Sequence, residues 1–65
     1  MDQERQEYDV FEEHHDGSTL WRDSVVGLKN ARLRAEQLSR LSTNQFYVIH
    51  IPTKQIVVRV IPNLK

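Results

Sequence analysis

Residues 27–42, GLKNARLRAEQLSRLS, hold the one stretch of this 65-residue chain with the period of a helix. Leu28, Ala31, Ala35, Leu38 and Leu41 recur at the spacing that lines apolar side chains along one helical face. Gly27 serves as N-cap, a weaker choice than Ser or Asp. Asn30 stands where a capping box would place Glu or Gln. At the far end Ser42, Thr43 and Asn44 break the pattern, and Asn44 is the candidate for a left-handed cap. Leu33 falls opposite the apolar stripe, among Lys29, Glu36, Gln37 and Arg40. The outward surface is basic, with Lys29, Arg32, Arg34 and Arg40 against Glu36 alone.

Strand candidates stand on both sides of this helix. Residues 8–14 (YDVFEEH) and 19–26 (TLWRDSVV) flank Asp16-Gly17, a strong hairpin signal. Its register is open. A two-residue loop at Asp16-Gly17 places Tyr8, Val10, Trp21 and Val25 on one face, with Phe11 and Leu20 on the other. A three-residue loop, with Gly17 left-handed, joins Trp21 to Phe11 and Val25, leaving Tyr8, Val10, Leu20 and Val26 opposite. A slip of one residue exchanges whole faces.

Residues 45–51 (QFYVIHI) and 55–61 (QIVVRVI) are the richest in β-branched and aromatic side chains. A type I turn through Pro52, Thr53, Lys54 and Gln55 would set Ile51 opposite Ile56. Tyr47, Ile49, Ile51, Ile56, Val58 and Val60 then share the face that receives the helix. Phe46, Val48, His50, Val57, Arg59 and Ile61 take the other. Pro62 ends the last strand, because it has no N–H for the ladder.

The expected fold is α+β: a β-β-α-β-β chain forming a four-stranded antiparallel sheet with one helix packed on one face. Residues 1–7 read as a flexible arm, 8–62 as the single domain and 63–65 as a tail. Two strand orders, 2-1-3-4 and 1-2-4-3, keep all neighbours antiparallel.

Composition narrows the function classes. Sixty-five residues give a core near the lower limit for independent stability. There is no cysteine, so neither disulfides nor thiolate metal sites can staple it. No apolar run approaches the ~20 residues of a membrane span, and the acidic start MDQERQE is unlike a secretory signal. A cytoplasmic protein is the expectation. Net charge is zero but uneven: residues 1–16 carry −6 and residues 17–65 carry +6. That asymmetry is satisfied within one fold or across a dimer more simply than by an external polyanion.

Catalytic and metal constellations do not assemble. His14 and His15 are adjacent on a strand end and point to opposite faces, and zinc wants three or four convergent ligands. Glu12 and Glu13 likewise diverge, so they form no acid–base pair. No serine lies in a nucleophile elbow. Two glycines, Gly17 and Gly27, make no phosphate loop. The expectation is a protein that is not an enzyme, with no cofactor, no metal and no small-molecule substrate.

The segments YDVFEEHHDGSTLWRDSV and NQFYVIHIPTKQIVVRV, with the Leu- and Ala-rich helix between them, resemble a family of short uncharacterised bacterial proteins. These are built as strand, Asp-Gly turn, Leu-Trp-Arg strand, helix and final hairpin. The likeness covers residues 8–61 and rests on Asp16-Gly17, Leu20-Trp21-Arg22 and Pro52-Thr53-Lys54. It implies a fold and carries no activity with it.

One helix covers one face of a sheet, and a solitary sheet should be polar on the other. Here the expected outer face holds Trp21, Phe46, Val48, His50, Val57, Arg59 and Ile61, which are the candidate interaction surface. Contiguous apolar patches of this kind mark binding. The sequence points to a homodimer or a protein-interaction module. A nucleic-acid-binding module using the sheet or the basic face of Lys29, Arg32, Arg34 and Arg40 is the alternative. The acidic first strand disfavours it.

Overall fold

A computed structural model describes residues 5–62. The elements are β1 (Glu7–Glu13), β2 (Thr19–Val26), α1 (Leu28–Ser39), β3 (Gln45–His50) and β4 (Gln55–Val60). They form an α+β fold whose antiparallel sheet runs β2-β1-β3-β4. The first and last strands in this order lie at the edges, and β1 and β3 pair without interruption at the centre. Gln6 and Glu7, expected in the arm, are already tied down. The Gln6 carbonyl accepts from Gly27 N–H at 2.8 Å and the Glu7 carbonyl from Ile51 N–H at 3.1 Å. Residues 1–4 and 63–65 lie outside the described residues.

The first hairpin uses both expected registers. Near the turn, Phe11 pairs Trp21 and Glu13 pairs Thr19, as the three-residue loop requires. Gly17 has φ +92°, open to glycine at no steric cost. His14 N–H donates to the Ser18 carbonyl at 2.8 Å, and Asp16 Oδ1 accepts from Ser18 N–H at 2.9 Å. Farther out, Val10 pairs Asp23 and Tyr8 pairs Val25, as the two-residue loop requires. Arg22 is the extra residue of a β-bulge that absorbs the difference. The bulge sorts the side chains: Tyr8, Val10 and Val25 turn to the helix, while Phe11 and Trp21 turn away.

The second hairpin corrects the expected register. Val48 pairs Val58 and Phe46 pairs Val60, one residue away from the expected alignment. His50 pairs Gln55, so the loop is Ile51 to Lys54; Lys54 N–H donates to the His50 carbonyl at 2.7 Å, and Lys54 takes φ +60°. A second bulge leaves Val57 unpaired, so Ile56 aligns with Ile49 while Val58 aligns with Val48. The face assignment of β3 is therefore inverted. Phe46 and Val48 lie beneath the helix at 1% and 0% exposure, and Tyr47 and Ile49 face away from it. Both faces of β3 are apolar, so alternation could not orient it; only the loop and the bulge do.

The core comprises Tyr8, Val10, Ala31, Ala35, Leu38, Phe46 and Val48, with Val25, Leu28, Val58 and Val60 packed at its margin. The two alanines allow the helix to approach the sheet closely. Gly27 is the N-cap, at φ 93° and ψ 133°, and its carbonyl accepts from Ala31 N–H at 3.0 Å. Leu41 leaves the expected stripe and is 85% exposed. The helix ends at Ser39, and tighter i→i+3 bonds from Leu41 to Leu38 and from Ser42 to Ser39 swing the chain outward. Asn44 is not a left-handed cap, since Lys54 is the sole non-glycine with positive φ among the described residues.

Candidate interaction face

Strand alternation and the two registers set one residue from each strand in a row across the helix-free face. In spatial order the row is Trp21, Phe11, Tyr47 and Arg59, paired β2 to β1, β1 to β3 and β3 to β4. Phe11 and Tyr47 stack with ring centroids 5.6 Å apart and planes 14° from parallel. The Arg59 guanidinium lies over the Tyr47 ring at 5.5 Å from its centroid. Trp21 remains 52% exposed. One row farther along the strands stand Ser24, Asp9, Ile49 and Ile56, and on the other side Thr19, Glu13 and Gln45.

The polar groups of this face bond to one another. Asp9 Oδ1 accepts from Trp21 Nε1 at 3.2 Å and from Ser24 Oγ at 2.6 Å. Arg59 donates to Gln45 Oε1 at 3.0 Å and lies 3.5 Å from the Glu13 carboxylate. Asp9, Phe11, Ile49, Ile51 and Lys54 border an open depression of about 210 Å³.

Of the expected surface residues, Trp21 and Arg59 lie on this face. Val57 is exposed at the β4 bulge, and Ile61, just past β4, is 64% exposed. Phe46 and Val48 belong to the core. His50 is also on the helix side: it pairs with Tyr8, the two rings 5.2 Å apart, and its ring nitrogens meet Thr53 Oγ1 at 2.8 Å and Gln6 Oε1. Phe11, Tyr47, Ile49 and Ile56 are the members that the sequence misplaced or left open. The pairing of Phe11 with Trp21 was available in the three-residue-loop register; Tyr47 and Ile49 had no signal short of the bulge.

On the opposite side of the molecule, Lys29, Arg32, Arg34 and Arg40 are exposed on the helix. Arg34 Nε donates to Asp23 at 2.9 Å. These basic groups lie on the helix side of the sheet, and the aromatic row lies on the other.

A second polar group of interest lies under the C-terminal end of the helix. Glu12 is 6% exposed, and its carboxylate accepts from Arg22 at 3.3 Å, Ser42 Oγ at 2.9 Å and Asn44 Nδ2 at 2.8 Å. The hydrogen bond from Asn44, then that from Ser42 and the charge of Arg22, hold its pKa below the ordinary carboxylate value despite the opposing cost of burial. Glu12 thus joins β1, β2 and the loop before β3. Beyond it, Glu13, His14, His15, Gln45 and Ile61 border a concavity of about 280 Å³, where His14 Nδ1 is buried without a hydrogen-bond partner among the described residues.

Among the described residues no group of three or more His, Asp or Glu side chains is placed to hold a metal ion. Nor is any helix among them long and apolar enough to cross a membrane. Comparison with protein-family models, with curated proteins and with solved structures finds no match.

Proposed function

We propose that this protein is a small non-enzymatic binding module that meets another polypeptide through the helix-free face of its sheet. The observation that carries this reading is the row Trp21–Phe11–Tyr47–Arg59. Aromatic side chains and arginine are the residues enriched where protein interfaces draw their energy. In this row they are held in place by stacking and by the Trp21–Asp9 hydrogen bond before any partner arrives. Preorganisation of this kind lowers the ordering cost of association. Carboxylates of Asp9 and Glu13 stand among the rings, which favours a polypeptide over the phosphate backbone of a nucleic acid.

Photo-crosslinking tests the face directly. A benzoylphenylalanine placed at Ile49, in the producing cell, should yield protein adducts, and the same group at Arg32 on the helix should not. Adducts from position 32 with none from position 49 would move the interface to the basic helix face. Retardation of mixed DNA or RNA by the purified protein at low salt would favour the nucleic-acid alternative instead.

A further inference from the structure

We infer that the polypeptide received by this face is a second copy of the same chain, related by a two-fold axis that runs parallel to the strands between β1 and β3. The inference rests on the reading of the face as a polypeptide interface and adds the occupant and its geometry. A two-fold contact brings the same patch to both partners, so the patch must be complementary to itself. With the axis between β1 and β3, each β1 lies against the partner's β3 and each β2 against the partner's β4. The row Trp21–Phe11–Tyr47–Arg59 then meets its own reverse.

Three of the pairings produced in this way are favourable in kind, and one is not: in the row on the other side Asp9 meets Ile49 of the second copy, a carboxylate against an aliphatic side chain. Phe11 meets Tyr47 of the second copy. Trp21 meets Arg59 of the second copy, whose guanidinium already lies over Tyr47 and offers its other side to the indole. In the neighbouring row Glu13 meets Gln45 of the second copy, a carboxylate against an amide donor. The other in-plane axis, perpendicular to the strands, would set Arg59 on Arg59 and Trp21 on Trp21, and like charges face to face cost affinity. The chain as a whole has zero net charge, so no long-range repulsion opposes pairing. The face's own polar groups are bonded within one copy, so few are stripped of water without a partner.

The area sets the strength. Four strands about 4.8 Å apart, with six residues each rising about 3.3 Å, make a footprint of roughly 400 Å² per copy. The two copies together bury roughly 800 Å², below the ~1,200 Å² of a stable specific interface and in the range of weak, transient contacts, so the dimer should dissociate in the micromolar range or above. Aligned sheets pack about 10 Å apart.

The chain contains no cysteine, so single cysteines report the geometry without background. Trp21→Cys and Arg59→Cys proteins, each checked for folding by circular dichroism, are treated with a bismaleimide spanning about 10 Å, the sheet separation. A mixture of the two should give covalent dimer at least tenfold faster than either alone. Sedimentation of the unsubstituted chain from micromolar to millimolar concentration should pass from 7.7 kDa to twice that mass, and Arg59→Glu should weaken the association at least tenfold. A monomer throughout overturns the second copy as occupant, and adducts of other masses from position 49 would then leave the face reading standing. A dimer whose cross-links form equally well from either single cysteine alone overturns the axis. A dimer unaffected by Arg59→Glu places the contact on another surface and overturns both.

Discussion

Glu12 occupies a position where most chains would put an aliphatic residue, on the helix side of a central strand. An almost buried carboxylate is costly unless its acceptors are satisfied, and three donors from two separate segments do so. Its pKa is lowered in the folded chain, so it stabilises the fold fully above the ordinary glutamate value of about 4.3. That contribution is lost as pH falls through the depressed folded-state pKa. Glu12→Gln should cost about 1–3 kcal/mol at pH 7, the worth of hydrogen bonds to a charged group. It should also flatten the fall in urea midpoint between pH 5 and pH 3, by the share that Glu12 contributes. Equal slopes in the two proteins would show that other carboxylates govern acid unfolding. Two backbone positions carry the opposite kind of strain. Gly27, at φ 93°, should not accept alanine without a loss of about 1 kcal/mol or more. Lys54 bears a side chain at φ +60°, so Lys54→Gly should be neutral or stabilising by up to about 1 kcal/mol. The midpoint of thermal unfolding should therefore fall for Gly27→Ala and should not fall for Lys54→Gly.

At the level of elements, the helix and the four strands were legible because their patterns are local. Residues 27–42 carry a helical period, Asp16-Gly17 marks a turn, and β-branched residues crowd the last hairpin. The orientation of the strands was legible only in part. Tyr8, Val10 and Val25 could not be separated from Phe11 and Trp21 by a single register, because two registers coexist across the Arg22 bulge. In the last hairpin the β4 bulge and the Lys54 turn shift the pairing by one residue, and every side chain of β3 changes face with it. No alternation could report this, since Phe46, Val48, Tyr47 and Ile49 are all apolar. The candidate site inherited the same fault: Trp21 and Arg59 were assigned to the right face, and Phe46 and Val48 to the wrong one. Equilibrium unfolding checks the orientation found here. Phe46→Ala should cost about 3–5 kcal/mol, while Tyr47→Ala should cost only about 0.5–1.5 kcal/mol through its lost stacking. The reverse ranking would restore the alignment expected from the sequence.

For the whole molecule, the uneven charge along the chain is met in part by topology. The acidic segment supplies β1, and β1 lies at the centre of the sheet, where basic residues from later elements reach it. Arg22 meets Glu12, Arg59 meets Glu13, and Arg34 of the helix meets Asp23 of β2. The contacts at or near the surface are each worth little, and two of them tie carboxylates of the acidic segment to later basic residues. Seven buried apolar residues among the described ones make a thin core. On the proposed pairing, added protein shifts the equilibrium toward the folded dimer. The midpoint of thermal unfolding should therefore rise with concentration, and a midpoint independent of concentration would count against the pairing.

The position of β1 at the centre of the sheet has a consequence for how the protein is made. Residues 7–13 have their first neighbour once residue 26 is made, but their second, residues 45–50, is complete only some 24 residues after that. At about 5–20 residues per second the first hairpin waits roughly 1–5 s with one side of β1 unpaired. A bare strand edge of this kind is a template for aggregation, and charge on it is a common protection. We therefore expect Glu7→Gln with Glu13→Gln to raise light scattering during refolding far more than it lowers the unfolding midpoint. Matched losses in both would assign these carboxylates to the finished fold alone. On this view the acidity of the first strand is protection for a nascent chain, needed before there is a sheet to belong to.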